Sequence, residues 1–126
     1  MVAYSFKARF AAAIREGFKT QTIRAGRTRH ARPGEMLQLF TGMRTAQCEK
    51  ICEDVRCTEV SSVQVTVDAE GEIESIWLAG RDVTDLDAFA VLDGFQDASE
   101  MAAFWRKENG TRPNSIFRGV VIAWAK

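Results

Sequence analysis

The sequence predicts an α+β domain built on a small curled sheet or barrel, flanked by about three helices. Three observations carry that prediction. Apolar residues recur at three- and four-residue steps in only a few windows, each bounded by a cap or a glycine. Between these windows lie segments that alternate every second residue and favour β-branched side chains. The closing segment is apolar on both faces, as a strand covered on both sides must be. With 126 residues, 46% of them apolar, the chain is long enough to bury one core. It has no internal repeat and no Pro/Ser-rich linker, so residues 1–126 are expected to form one domain.

In chain order, Phe6, Phe10, Ala13 and Ile14 carry the first helical spacing, with Ser5 as the expected cap and Gly17 as the stop. Thr20 to Arg24 then shift to a two-residue period, which sets Thr20, Thr22 and Arg24 on one face and Gln21 and Ile23 on the other. A polar face on a short strand is a candidate site. The basic stretch from Gly26 to Arg32 reads as a loop, and Pro33-Gly34 suits a type II turn ahead of a strand from Met36 to Thr41. Thr58 to Val67 and Ile73 to Leu78 read as antiparallel strands joined by Asp68-Ala69-Glu70-Gly71. Leu86, Phe89 and Ala90 predict a short helix. Asp97 and Glu100 open another that carries Met101, Phe104 and Trp105 and stops at Gly110. Ser115 to Trp124 is the closing central strand.

The net charge of zero conceals an asymmetry: residues 1–50 hold ten Lys and Arg against three Asp and Glu, and residues 51–126 hold seven against fourteen. Such a basic half builds a patch for phosphate, or the two halves attract each other across the fold. No apolar run reaches the roughly 18 residues of a membrane span, and no secretory leader pattern opens the chain, so the expected setting is cytoplasmic and away from membranes. Cys48, Cys52 and Cys57 are odd in number and are expected as reduced thiols. Their spacing lacks the C-x2-C knuckle of common zinc sites, and no dinucleotide or H-E-x-x-H motif is present, so neither metal nor cofactor is expected.

The octad Gly17-Phe18-Lys19-Thr20-Gln21-Thr22-Ile23-Arg24 resembles the G-x-K-T-x-T-I-R signature of ASCH domains. Arg32-Pro33-Gly34-Glu35 is similar to that family's turn before its second strand, Phe40-Thr41-Gly42 to the end of that strand, and Asp93-Gly94-Phe95 to the acidic stretch before a later helix. The Gly-x-Lys-Thr run is not a Walker loop, because here the glycine ends a helix and a strand follows. The resemblance implies a PUA-like mixed β-barrel with a cleft beside the first helix, in a family linked to RNA metabolism. Some similar members are small amidohydrolases that convert N4-acetylcytidine to cytidine with a lysine, a threonine three residues later and a distal acid. By that resemblance the three catalytic residues are Lys19, Thr22 and Asp93, the last replacing a glutamate.

In the chemistry so implied, neutral Lys19 takes the proton of Thr22, Thr22 attacks the acyl carbonyl, and Asp93 holds the cytosine amino group or Lys19. That role demands a lysine whose pKa is depressed by burial or by cations such as Arg24, which is itself a candidate for phosphate or oxyanion binding. The single histidine, His30, sits in the basic loop, which argues against a histidine-based triad. The alternative is an RNA-binding or ribonucleolytic module: Arg24, Arg27, Arg29, His30 and Arg32 on phosphates, Thr20 beside them, and Phe18 or Tyr4 lining a base pocket. Phe6, Phe10, Phe89, Phe104 and Trp105 are spaced as core residues. Without the resemblance, the same motif reads as a solvated strand edge.

Overall fold

The computed structural model describes residues 1–26 and 29–125, so Arg27 lies outside the described residues. The strands are β1 (Val2–Phe6), β2 (Gln21–Ala25), β3 (Met36–Thr41), β4 (Glu49–Lys50), β5 (Val55–Val67), β6 (Ile73–Leu78), β7 (Arg81–Asp82) and β8 (Ser115–Trp124). The α-helices are α1 (Ala11–Glu16), α2 (Leu86–Leu92) and α3 (Ala98–Asn109). All eight strands belong to one mixed sheet. β5 joins its parts: Val55 and Arg56 pair with β3, residues 63–67 pair with β6, and β8 runs antiparallel along residues 57–67. The other side of β8 pairs with β2, Thr22 opposite Ile122 and Arg24 opposite Val120. β1 lies parallel to β3.

The sheet is not closed, which corrects the expected barrel. Among the described residues β1 pairs with β3 and β2 with β8, and no backbone ladder joins β1 to β2. Side chains span that seam instead. Arg24 Nη2 donates to the Ser5 carbonyl at 2.8 Å, while His30 lies 3.1 Å from the Tyr4 hydroxyl through Nδ1 and 2.8 Å from the Ala25 carbonyl through Nε2.

The first helix also starts later than its spacing suggests. Val2–Phe6 alternates buried with half-buried residues as a strand, Lys7 is extended, a 3-10 turn follows at Ala8–Phe10, and α1 covers six residues. Ser5 is therefore a strand residue and not a cap. Gly17 does end the helix, at a φ of 82° that an L side chain adopts only with strain. The Pro33-Gly34 turn forms, with Gly34 at φ 92° and the Glu35 amide donating to the Arg32 carbonyl. Asp97 accepts from the Glu100 amide at 2.8 Å and opens α3, whose carboxylate Glu100 accepts in turn from the Gln96 amide.

One buried cluster unites Val63, Val65 and Val67 of β5, Ile76 of β6 and Val121 of β8 with Phe89, Met101 and Trp105 of the helices. Each such side chain contributes about 1.5–3 kcal/mol when fully buried. The basic and acidic halves meet through Lys7–Glu108, Arg9–Glu100 and Lys19–Asp93. None of the described helices is long and apolar enough to cross a membrane.

Candidate functional site

A cleft of about 660 Å³ opens beside the seam between β1 and β2. Lys19, Thr22, Arg24 and Asp93 all line it. Three local structures place them. The left-handed Gly17 turns the chain out of α1 so that Lys19 precedes β2; pairing with β8 holds Thr22 and Arg24; and Asp93 is the residue that caps the end of α2.

Lys19 is 3% exposed and Asp93 5% exposed, so a cation and an acid 74 positions apart share a nearly dry pocket. The Lys19 Nζ donates to the Gln21 carbonyl at 2.8 Å and to the Asp93 carbonyl at 2.5 Å. Its distance to Asp93 Oδ1 is 3.7 Å, an ion-pair separation too long for a hydrogen bond. Asp93 Oδ1 thus has no hydrogen-bond partner among the described residues, and neither has the buried Gln21 Nε2. The ammonium also sits 4.9 Å from the Phe10 ring centre and 5.5 Å from that of Phe6. Burial lowers the pKa of Lys19 against the pull of Asp93, and Arg24 lowers it further. Burial likewise pushes Asp93 up to about 6, against the opposing pull of Lys19 and Arg24. Both shifts favour the uncharged forms.

A neutral lysine has two N–H bonds, and two backbone carbonyls are placed to accept them. Its lone pair is then left for a proton. Thr22 Oγ1 accepts from Arg24 Nε at 3.1 Å, which leaves the threonine hydrogen to be given elsewhere. Arg24 also stacks its guanidinium against Tyr4 and Phe6, at 5.2 Å and 5.0 Å from their ring centres. Gly94, at φ 99°, completes the cradle: a Cβ there would come within 2.8 Å of Lys19 Cδ and 2.9 Å of Phe10 Cδ1. Contacts that short force a neighbour to move, so the glycine lets α2 end against the lysine stem.

The remaining expected residues that are described do not line the cleft. Thr20 does not line it; its amide donates to the Leu92 carbonyl and its own carbonyl accepts from Trp124. Tyr4 is buried, its hydroxyl receiving the Ala31 amide at 3.1 Å, and it does not reach the cleft. Phe18 is 63% exposed and also outside it. Arg29 reaches Glu35 at 2.5 Å, and Arg32 is exposed beside the same turn. The cysteines are free thiols, exposed at Cys48 and buried at Cys57. Conversely, Phe6, Phe10, Phe104 and Trp105 are core residues that also form the cleft wall, together with Phe95 and Phe117. Their ring pairs, 5.2–5.4 Å apart among Phe10, Phe95 and Phe104 and between Trp105 and Phe117, make that wall rigid. Spacing marks Phe6, Phe10, Phe104 and Trp105 as core residues, Phe95 and Phe117 carry no such mark, and no local signal says that a cavity adjoins any of them. Compared with known proteins, the chain matches no family model, no curated protein and no solved structure.

Proposed function

We propose that this chain is an ASCH-type, PUA-like domain whose cleft binds a modified nucleoside, and that it hydrolyses N4-acetylcytidine to cytidine and acetate. One observation carries the reading: Lys19, Thr22 and Asp93, the three residues that the resemblance singles out, line the same cleft. The volume of about 660 Å³ falls in the range of small-molecule sites, and its walls combine aromatic rings with polar and charged side chains.

In the proposed reaction, the Thr22 hydroxyl gives its proton to neutral Lys19 while its oxygen bonds to the acetyl carbon. The carbon–N4 bond then breaks, the proton passes from Lys19 to N4, and cytidine departs. Lys19 next takes a proton from water, the hydroxide attacks the threonine ester, and acetate leaves as Thr22 recovers its hydrogen. Arg24, whose Nε donates to the Thr22 oxygen, is the cation beside the developing oxyanion. The unpartnered Asp93 Oδ1 suits a ligand N–H, such as the exocyclic amide of the acylated base.

The test is conversion of N4-acetylcytidine followed by chromatography. Thr22→Ala abolishes turnover, Thr22→Ser retains part of it, and Lys19→Ala lowers kcat by about 10²- to 10⁴-fold. A wild-type protein that releases no cytidine would sink the hydrolase reading and leave RNA binding as the function to pursue. Of the cations that second reading names, Arg24 lines the cleft, Arg29 and Arg32 do not, and Arg27 lies outside the described residues.

A further inference from the structure

The charged and the neutral groups that line the cleft differ in what they have left to offer a ligand. Among the described residues three cations line it: Lys7, Lys19 and Arg24. Each is already engaged. Lys7 Nζ lies 3.1 Å from Glu108 Oε2, Lys19 pairs with Asp93, and Arg24 donates to Thr22 Oγ1 and to the Ser5 carbonyl. A phosphate entering the cleft finds each of these cations already paired, and beside Lys7 it nears the Glu108 carboxylate, which does not line the cleft but lies 3.1 Å from that lysine.

The stretch of cleft next to that pair, at the C-terminal end of α3, has the opposite character. Asn109 and Thr111 line it with neutral side chains that have no hydrogen-bond partner among the described residues, and Ser115 lines it with a hydroxyl that donates to the Arg112 carbonyl and still has lone pairs to accept with. An amide and two hydroxyls beside aromatic rings suit an uncharged polyol joined to a flat base. They do not suit a phosphodiester, which is held by cations and backbone amides.

We infer that Asn109, Thr111 and Ser115 form a ribose subsite, and that the Lys7–Glu108 pair beside it makes the protein select free nucleosides over nucleotides and RNA chains. This inference rests on the proposed nucleoside reading and sharpens it. Glu108 is the specificity-determining residue. It sits on the outer turn of α3, exposed enough that its replacement leaves the core untouched.

Calorimetric binding of cytidine and of cytidine 5′-monophosphate, each to the wild type and to Glu108→Gln, decides the matter independently of catalysis. The wild type is expected to prefer cytidine by about tenfold, and Glu108→Gln to narrow that ratio severalfold, with the nucleotide gaining. Thr111→Val weakens cytidine but not the free base cytosine. Equal affinity for nucleoside and nucleotide, a ratio unmoved by Glu108→Gln, or binding of neither compound overturns the subsite. Measured beside these, turnover of N4-acetylcytidine separates the two ideas. Absent turnover with the cytidine preference intact removes hydrolysis alone, and turnover without that preference removes the subsite alone.

Discussion

Two ion pairs that a sequence treats alike have opposite meanings in this molecule. Arg29 and Glu35 meet at 2.5 Å on the surface, with side chains 51% and 21% exposed, whereas Lys19 and Asp93 stand 3.7 Å apart in the floor of the cleft, at 3% and 6%. At the surface each partner keeps its water, so such a pair adds between nothing and about 1 kcal/mol. In the cleft both charges lose their water, and the attraction between them repays that loss incompletely. The surface pair sits at a turn; the buried pair is held by the fold where both groups are shifted toward their uncharged forms.

The largest expected effect comes from separating the buried partners. Asp93→Ala leaves the lysine without its carboxylate and should cost about 3–5 kcal/mol in urea unfolding, while the double replacement Lys19→Met with Asp93→Leu recovers most of that loss. A double variant no more stable than Asp93→Ala would mean that the pair is an ordinary stabilising bridge.

The two acids also predict opposite responses to pH. Asp93 is raised in the folded state from 3.8 to about 6, so the folded protein binds the extra proton more tightly. Its contribution is fully present below pH of about 4 and is lost as pH rises toward 6, a change of about 3 kcal/mol. Glu35 is lowered, first by the Arg32 amide and then by the N-terminus and Arg29, so its contribution is present above the ordinary glutamate value and lost as pH falls through its folded value. Stability measured at pH 4, 5, 6 and 7 for the wild type and Asp93→Asn isolates the first effect. Parallel curves would show that Asp93 does not titrate in this window. The smallest effect belongs to another exposed pair, Lys50–Asp54: Lys50→Ala should shift stability by less than about 1 kcal/mol, and a larger loss would blur the contrast between surface and cleft.

Much of the fold was legible because its signals are local. The Asp97–Glu100 start, the Gly17 and Gly110 stops and the period-two runs of β3 and β6 depend on residues within a few positions of each other. β1 was not read, since Phe6 ends the alternation that begins at Val2 and also starts the three- and four-residue spacing to Phe10 and Ile14. An apolar residue belonging to two patterns announces neither. The site divides in the same way. Thr22 and Arg24 share a face of β2, which their spacing predicts, but nothing in residues 17–24 says that Asp93 arrives beside Lys19. Only the resemblance joined those two. Tyr4 and Phe18 lie near the motif in sequence but outside the cleft in space, the chain reversing direction at Gly17.

β2 pairs with β8, a strand nearly a hundred residues later, and β5 meets the same strand along most of its length. The floor of the cleft is therefore completed only after a growing chain has passed β8. Until residues 115–124 are made, the edge that carries Thr22 and Arg24 stays open, and the protein must pass through much of its synthesis without the strand that shields it.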